Sequence, residues 1–92
     1  MNKFLISYDL GGPETRLDYV RLINYIKTYE NWAKPLQSVW IILTDQTAEE
    51  VRDGIKNHID SNDKIMIIEV TGNWATFGIK KEVTDWMQGL QD

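Results

Sequence analysis

Apolar side chains along this chain change their period several times, and each change marks an element. Phe4, Leu5, Ile6 and Tyr8 form a near-continuous apolar run, which suits a central strand over Lys3 to Leu10, covered on one or both faces. Gly11-Gly12-Pro13 ends it. Tyr19, Leu22, Ile23, Ile26 and Tyr29 then recur at helical spacing with Arg21, Asn24, Lys27 and Thr28 opposite, predicting an amphipathic helix over roughly Glu14 to Glu30 that Pro35 prevents from continuing. Leu36 to Thr44 is β-branched and aromatic. It reads as one long strand or as two short ones joined by a kink. Thr47 with Glu50 forms a capping box, opening a second helix whose buried stripe is Ala48, Val51, Ile55 and Ile59. Ser61-Asn62-Asp63 is a turn, Lys64 to Thr71 the next strand, and Gly72-Asn73 a break. Ile79, Val83, Trp86, Met87 and Leu90 mark a last helix.

The order β-α-β(β)-α-β with a C-terminal helical extension predicts an α+β fold, a ferredoxin-like α/β sandwich. A single domain over residues 1–92 is expected, with a core of about 1–71 and an extension of about 72–92. One sheet face would carry the helices. The other would expose apolar area, here assigned to Trp40, Ile42, Trp74 and Phe77, which a second copy would cover. Composition adds limits. A net charge of −4 supplies no global attraction to nucleic acid, so any such contact must be local. The chain has no cysteine, which removes thiol redox chemistry and thiolate ligands. No apolar run approaches the roughly 20 residues of a membrane span, and Met1-Asn2-Lys3 leads straight into a strand. A cytoplasmic protein without membrane contact is expected.

Asp9 is the leading candidate for chemistry, because it sits where the first strand runs into its breaker, and loops at strand carboxyl ends are where α/β folds build sites. It has three readings: a metal-binding or catalytic carboxylate, a noncatalytic contact to nucleic acid, or an acceptor of backbone N–H groups in the Gly-Gly-Pro turn. Other candidates have plainer explanations. His58 has no second His or Cys to complete a metal site and reads as a helix-end cation. Glu49, Glu50 and Asp53 complement a helix dipole, and Lys80-Lys81 reads as a solvated helix face. Gly11-Gly12 lacks the following Gly-Lys-Ser/Thr of a phosphate loop, and no organic cofactor is expected. Of the four tryptophans, Trp74, beside Asn73 and near Phe77, is best placed to stack a base.

Tyr8-Asp9-Leu10, Ser38-Val39-Trp40 and the acidic pair Asp60 and Asp63 occur in an order and spacing that resembles the Cas-two family of CRISPR-associated proteins and its VapD-like relatives, up to about Val70. The resemblance implies a ferredoxin-like homodimer whose two aspartates face each other across the interface. In some members that pair binds a divalent metal and cleaves phosphodiester bonds; in others the dimer is a scaffold that holds DNA and an integrase-type partner protein. Carried onto this chain, it makes Asp9 the metal ligand for Mg²⁺ or Mn²⁺, with Ser7 on the same strand face to orient it and Arg16 to neutralise phosphoryl charge. Arg16 and Arg21 become candidate nucleic-acid contacts, to which Trp74, beyond the resemblance, is added on its own placement beside Asn73 and Phe77. Two departures stand out. Gln37 lies one position later than the family's glutamine, and Arg16 and Arg21 are the only arginines that follow the first strand on the first helix. The stretch from Thr71 to Gly78 and the last helix lie beyond the resemblance and are expected to clasp a partner protomer.

Overall fold

The computed structural model describes residues 1–11 and 16–89, except for the side chains of residues 16–18. Seven elements follow one another: β1 (Asn2–Asp9), α1 (Arg16–Ile26), β2 (Asn31–Leu36), β3 (Val39–Thr44), α2 (Ala48–Lys56), β4 (Lys64–Glu69) and α3 (Lys81–Gly89). The strands form one antiparallel sheet in the order β2-β3-β1-β4, so the fold is the ferredoxin-like sandwich that the element order predicts.

Register decides what each face carries. Phe4 pairs with Ile42 and Ile6 with Trp40 across β1 and β3, and these side chains point to one face because alternate strand residues do. There they meet Leu22 and Ile26 from α1 and Val51 and Ile55 from α2 in the main core. Trp40 and Ile42 are fully buried, so they contribute nothing to the exposed apolar area assigned to them from the sequence. A run apolar on both faces gives no alternation from which parity could be read. Among the described residues the exposed large apolar side chains are instead Leu36 (57%), Met66 (51%), Ile68 (43%) and Phe77 (98%), with Met1 at the start of the chain and Val20 on α1.

The stretch after the first helix divides differently from the sequence reading. The helix stops at Ile26, where the Thr28 hydroxyl donates to the Tyr25 carbonyl at 2.6 Å and the Tyr29 N–H reaches Ile26 O at 3.1 Å. Strand β2 therefore has room to begin at Asn31 and turns into β3 at Gln37-Ser38. Gln37 thus sits in a hairpin and not on a strand face. Pro35, expected to do no more than block a helix, lies inside β2, where the register slips between Ala33 and Leu36. A proline has no N–H to give a ladder, and an edge strand at a bulge tolerates that loss.

Helix α2 is capped as expected. Thr47 Oγ1 accepts the Glu50 N–H at 3.1 Å while the Glu50 carboxylate accepts the Thr47 N–H at 2.9 Å. Helices α1 and α2 approach each other at Gly54, where a Cβ would run into the Tyr25 hydroxyl. Tyr25 also stacks on His58, with ring centroids 4.4 Å apart. His58 is therefore part of the packing between these helices.

The C-terminal extension folds back on its own chain. Helix α3 packs against β2 on the second face of the sheet. Met87 is buried there beside Leu5 and Ile41, and Ala33 is buried on the same face. The last helix, expected to clasp a partner protomer, thus packs on this chain's own sheet. Met66 and Ile68 of β4 stay uncovered.

Candidate functional site

Asp9 ends β1 on the second sheet face. The same face carries Ser7, as expected, and Lys64 lies opposite Asp9 in the β1–β4 register. Its side chain is exposed, and among the described residues it has neither a hydrogen bond nor an ion pair. The turn-acceptor reading of Asp9 falls largely on Gly12 and Pro13, which lie outside the described residues; of that turn's N–H groups, the described one, on Gly11, goes to Asp63.

Asp63 does that work. Its Oδ1 accepts the Gly11 N–H at 2.7 Å and its Oδ2 accepts the Asp60 N–H at 2.7 Å, tying the end of β1 to the turn before β4. Two charge-assisted bonds from one carboxylate are a strong local tie. Gly11 is required by the closeness: a Cβ there would lie 2.7 Å from the Asn62 backbone oxygen. Of the acidic pair, Asp63 is thus a structural clamp immediately beyond Asp9, and Asp60 joins it through its backbone N–H.

The two motifs Tyr8-Asp9-Leu10 and Ser38-Val39-Trp40 meet inside the core. Trp40 Nε1 donates to the Tyr8 hydroxyl at 3.2 Å, and that hydroxyl donates to the Gln37 carbonyl at 3.4 Å. A buried indole N–H needs such an acceptor. Tyr8 is thereby fixed on the core face while its neighbour Asp9 is turned to the opposite face.

The remaining candidates are scattered. Arg21 is exposed on α1, which covers the first face, so it stands across the sheet from Asp9. The Arg16 backbone opens α1, and its side chain lies outside the described residues, as do Gly12, Pro13 and Leu90. Trp74 is half-buried over a cavity of about 230 Å³ lined also by Lys3, Leu5, Ile41 and Met87. That cavity is at the far end of β1, roughly 13–20 Å along the strand from Asp9 at about 3.3 Å per residue. Trp74 therefore lies far from Asp9, and Phe77 is the freely exposed aromatic. Of the three acids of α2, Glu49 and Glu50 lie in the first turn, and Glu50 is taken by the capping box. Asp53 lies past that turn, where it does not complement the helix N-terminus as expected, and pairs with Arg52 at 3.0 Å. Among the described residues no group of three or more His, Cys, Asp or Glu is arranged to hold a metal within one copy. No helix of the described residues is long and apolar enough to cross a membrane.

Comparison with known proteins gives the fold and little else. No family model and no curated protein matches the chain. Among solved structures it is similar to a hypothetical protein of Thermus thermophilus, TT1823, with a TM-score of 0.67 and 24% identity over 85% of this chain and 92% of that one. The shared architecture spans most of both chains.

Proposed function

We propose that the chain acts as a homodimer of the Cas-two type in a nucleic-acid-related role. The Asp9 carboxylates of two copies would be brought together to hold Mg²⁺ or Mn²⁺ for phosphodiester hydrolysis. One observation carries this reading: Asp9 is an exposed carboxylate with no hydrogen bond or ion pair among the described residues, at a strand end beyond which the Gly11 N–H is taken by Asp63. Two such groups near a dimer axis repel unless a hard cation or a proton joins them. Their oxygens, with the Ser7 hydroxyl on the same face, suit an ion that prefers oxygen ligands, and a cation there supplies Lewis acidity toward a phosphate.

Asp9→Asn tests it, because the amide keeps shape and hydrogen bonding while removing charge. Cleavage of RNA or DNA should fall by orders of magnitude, and Mg²⁺ or Mn²⁺ should raise the Tm of the wild type and not of the variant. A wild type that neither cleaves nor responds to metal sinks the hydrolytic reading. A second reading, a noncatalytic dimeric scaffold that holds nucleic acid or an integrase-type protein, is favoured by Arg21 standing across the sheet from Asp9. It predicts that Asp9→Asn leaves every binding function intact.

A further inference from the structure

Two grooves run round the β2–β3 hairpin, of about 390 and 420 Å³, and they share Lys34 and Gln37. One opens on the helix side between the hairpin and Tyr19; the other opens on the second face between Leu36 and the start of α3, where Lys80 joins the wall. No carboxylate among the described residues lines either groove, although acids outnumber bases in the chain by 14 to 10. The groove beside the α2–β4 turn is lined by Asp60 and Asp63.

The charges in this track are uncommitted. Lys81 is spent on Asp85 at 2.7 Å, whereas neither Lys34 nor Lys80 has an ion pair among the described residues. Lys34 Nζ rests 5.3 Å from the centroid of the Trp40 ring, which holds the ammonium at the hairpin while leaving its charge available. Beside the track stands Phe77, 98% exposed and adjacent in sequence to Gly78, which lines the second groove. A chain this short that leaves a whole aromatic ring in water has a flat apolar face to offer.

We infer that this track, from Lys34 and Gln37 to Lys80 and Phe77, seats single-stranded nucleic acid, with phosphates on the two ammonium groups and a base stacked on the Phe77 ring. A basic groove with an interleaved aromatic is the arrangement by which single strands are held without sequence preference. The inference rests on the nucleic-acid reading above and moves the contact away from Arg21 and Trp74.

The test is fluorescence anisotropy of labelled single-stranded RNA and DNA oligonucleotides, with EDTA present so that binding is read without cleavage. Phe77→Ala should weaken binding by about tenfold or more, the ordinary effect of losing one stacked base. The exposed ring can be removed without disturbing the core. Lys34→Gln combined with Lys80→Gln should flatten the dependence of log Kd on log salt by about 1.4, from about 0.7 per phosphate contact on a single strand. Lys56→Gln, on α2, should change neither. Wild-type binding that all these variants share would overturn the track and leave the nucleic-acid reading standing. Absence of any wild-type binding would overturn both, and equal binding of an oligoglutamate probe would show a plain anion surface and overturn the nucleic-acid assignment.

Discussion

Tyr8 and Asp9 are neighbours with opposite tasks, and the pleat of β1 is the reason. Tyr8 is held on the core side by the Trp40 indole, and that bond makes a specific prediction. Tyr8→Phe leaves a buried N–H without its acceptor and should cost about 1–3 kcal/mol in urea unfolding. In a Trp40→Phe background the same change should cost much less, so a double-mutant cycle reads the bond itself. Tyr29 gives a second test. Burial, foremost, and its neighbour Tyr25 raise its hydroxyl well above the ordinary tyrosine value of 10.0, and the hydroxyl donates to Gln46 Oε1 at 2.9 Å. The folded protein thus keeps a proton that the unfolded chain loses near pH 10, so stability must fall as pH rises through that value. Urea midpoints followed from about pH 9 to 11 should drop less steeply in Tyr29→Phe than in the wild type.

At the scale of elements, the close approach of α1 and α2 is set by a missing side chain. Gly54→Ala should raise helix propensity by up to about 1 kcal/mol, yet the added methyl meets the Tyr25 hydroxyl. The net effect expected is a loss of about 1–3 kcal/mol. Tyr25→Phe should restore part of that loss, and thermal unfolding of the single and double variants decides it. Elements with one clear period were legible in the sequence. The Thr47–Glu50 box and the Val51–Ile55 stripe predict α2 because capping and burial act locally. Strand β2 was not legible, since Asn31, Lys34 and Pro35 carry no strand signal and are accommodated only by pairing with β3 at a bulged edge. The parity of Trp40 and Ile42 was also hidden, because β3 is apolar on both faces and only its register with Phe4 and Ile6 settles which side is core. At the candidate site, Asp9 and Asp63 are both acids beside turns. Which one closes the turn depends on where the chain from β1 meets the turn before β4, a distance of 52 residues in sequence.

At the scale of the whole molecule, the second sheet face is half covered. Helix α3 shields Ala33 and Ile41, while Met66 and Ile68 remain in water beside the strand that ends in Asp9. If two copies meet there, Met66→Glu with Ile68→Glu should turn a dimer into a monomer of 10.8 kDa by light scattering. The far-UV circular dichroism should stay the same, because neither side chain is part of the main core. A wild type that is already monomeric at micromolar concentration would remove the shared-carboxylate mechanism as well. The position of β1 has a separate consequence. β1 leaves the ribosome before both of its neighbours in the finished sheet, β3 and β4, so it cannot complete its pairing until β4 has been made. At about 5–20 residues per second, β4 follows roughly 3–11 s after β1. For that interval the nascent chain carries an apolar segment with at least one open edge, and Phe4, Leu5 and Ile6 are where a chaperone, or a neighbouring nascent chain, would take hold.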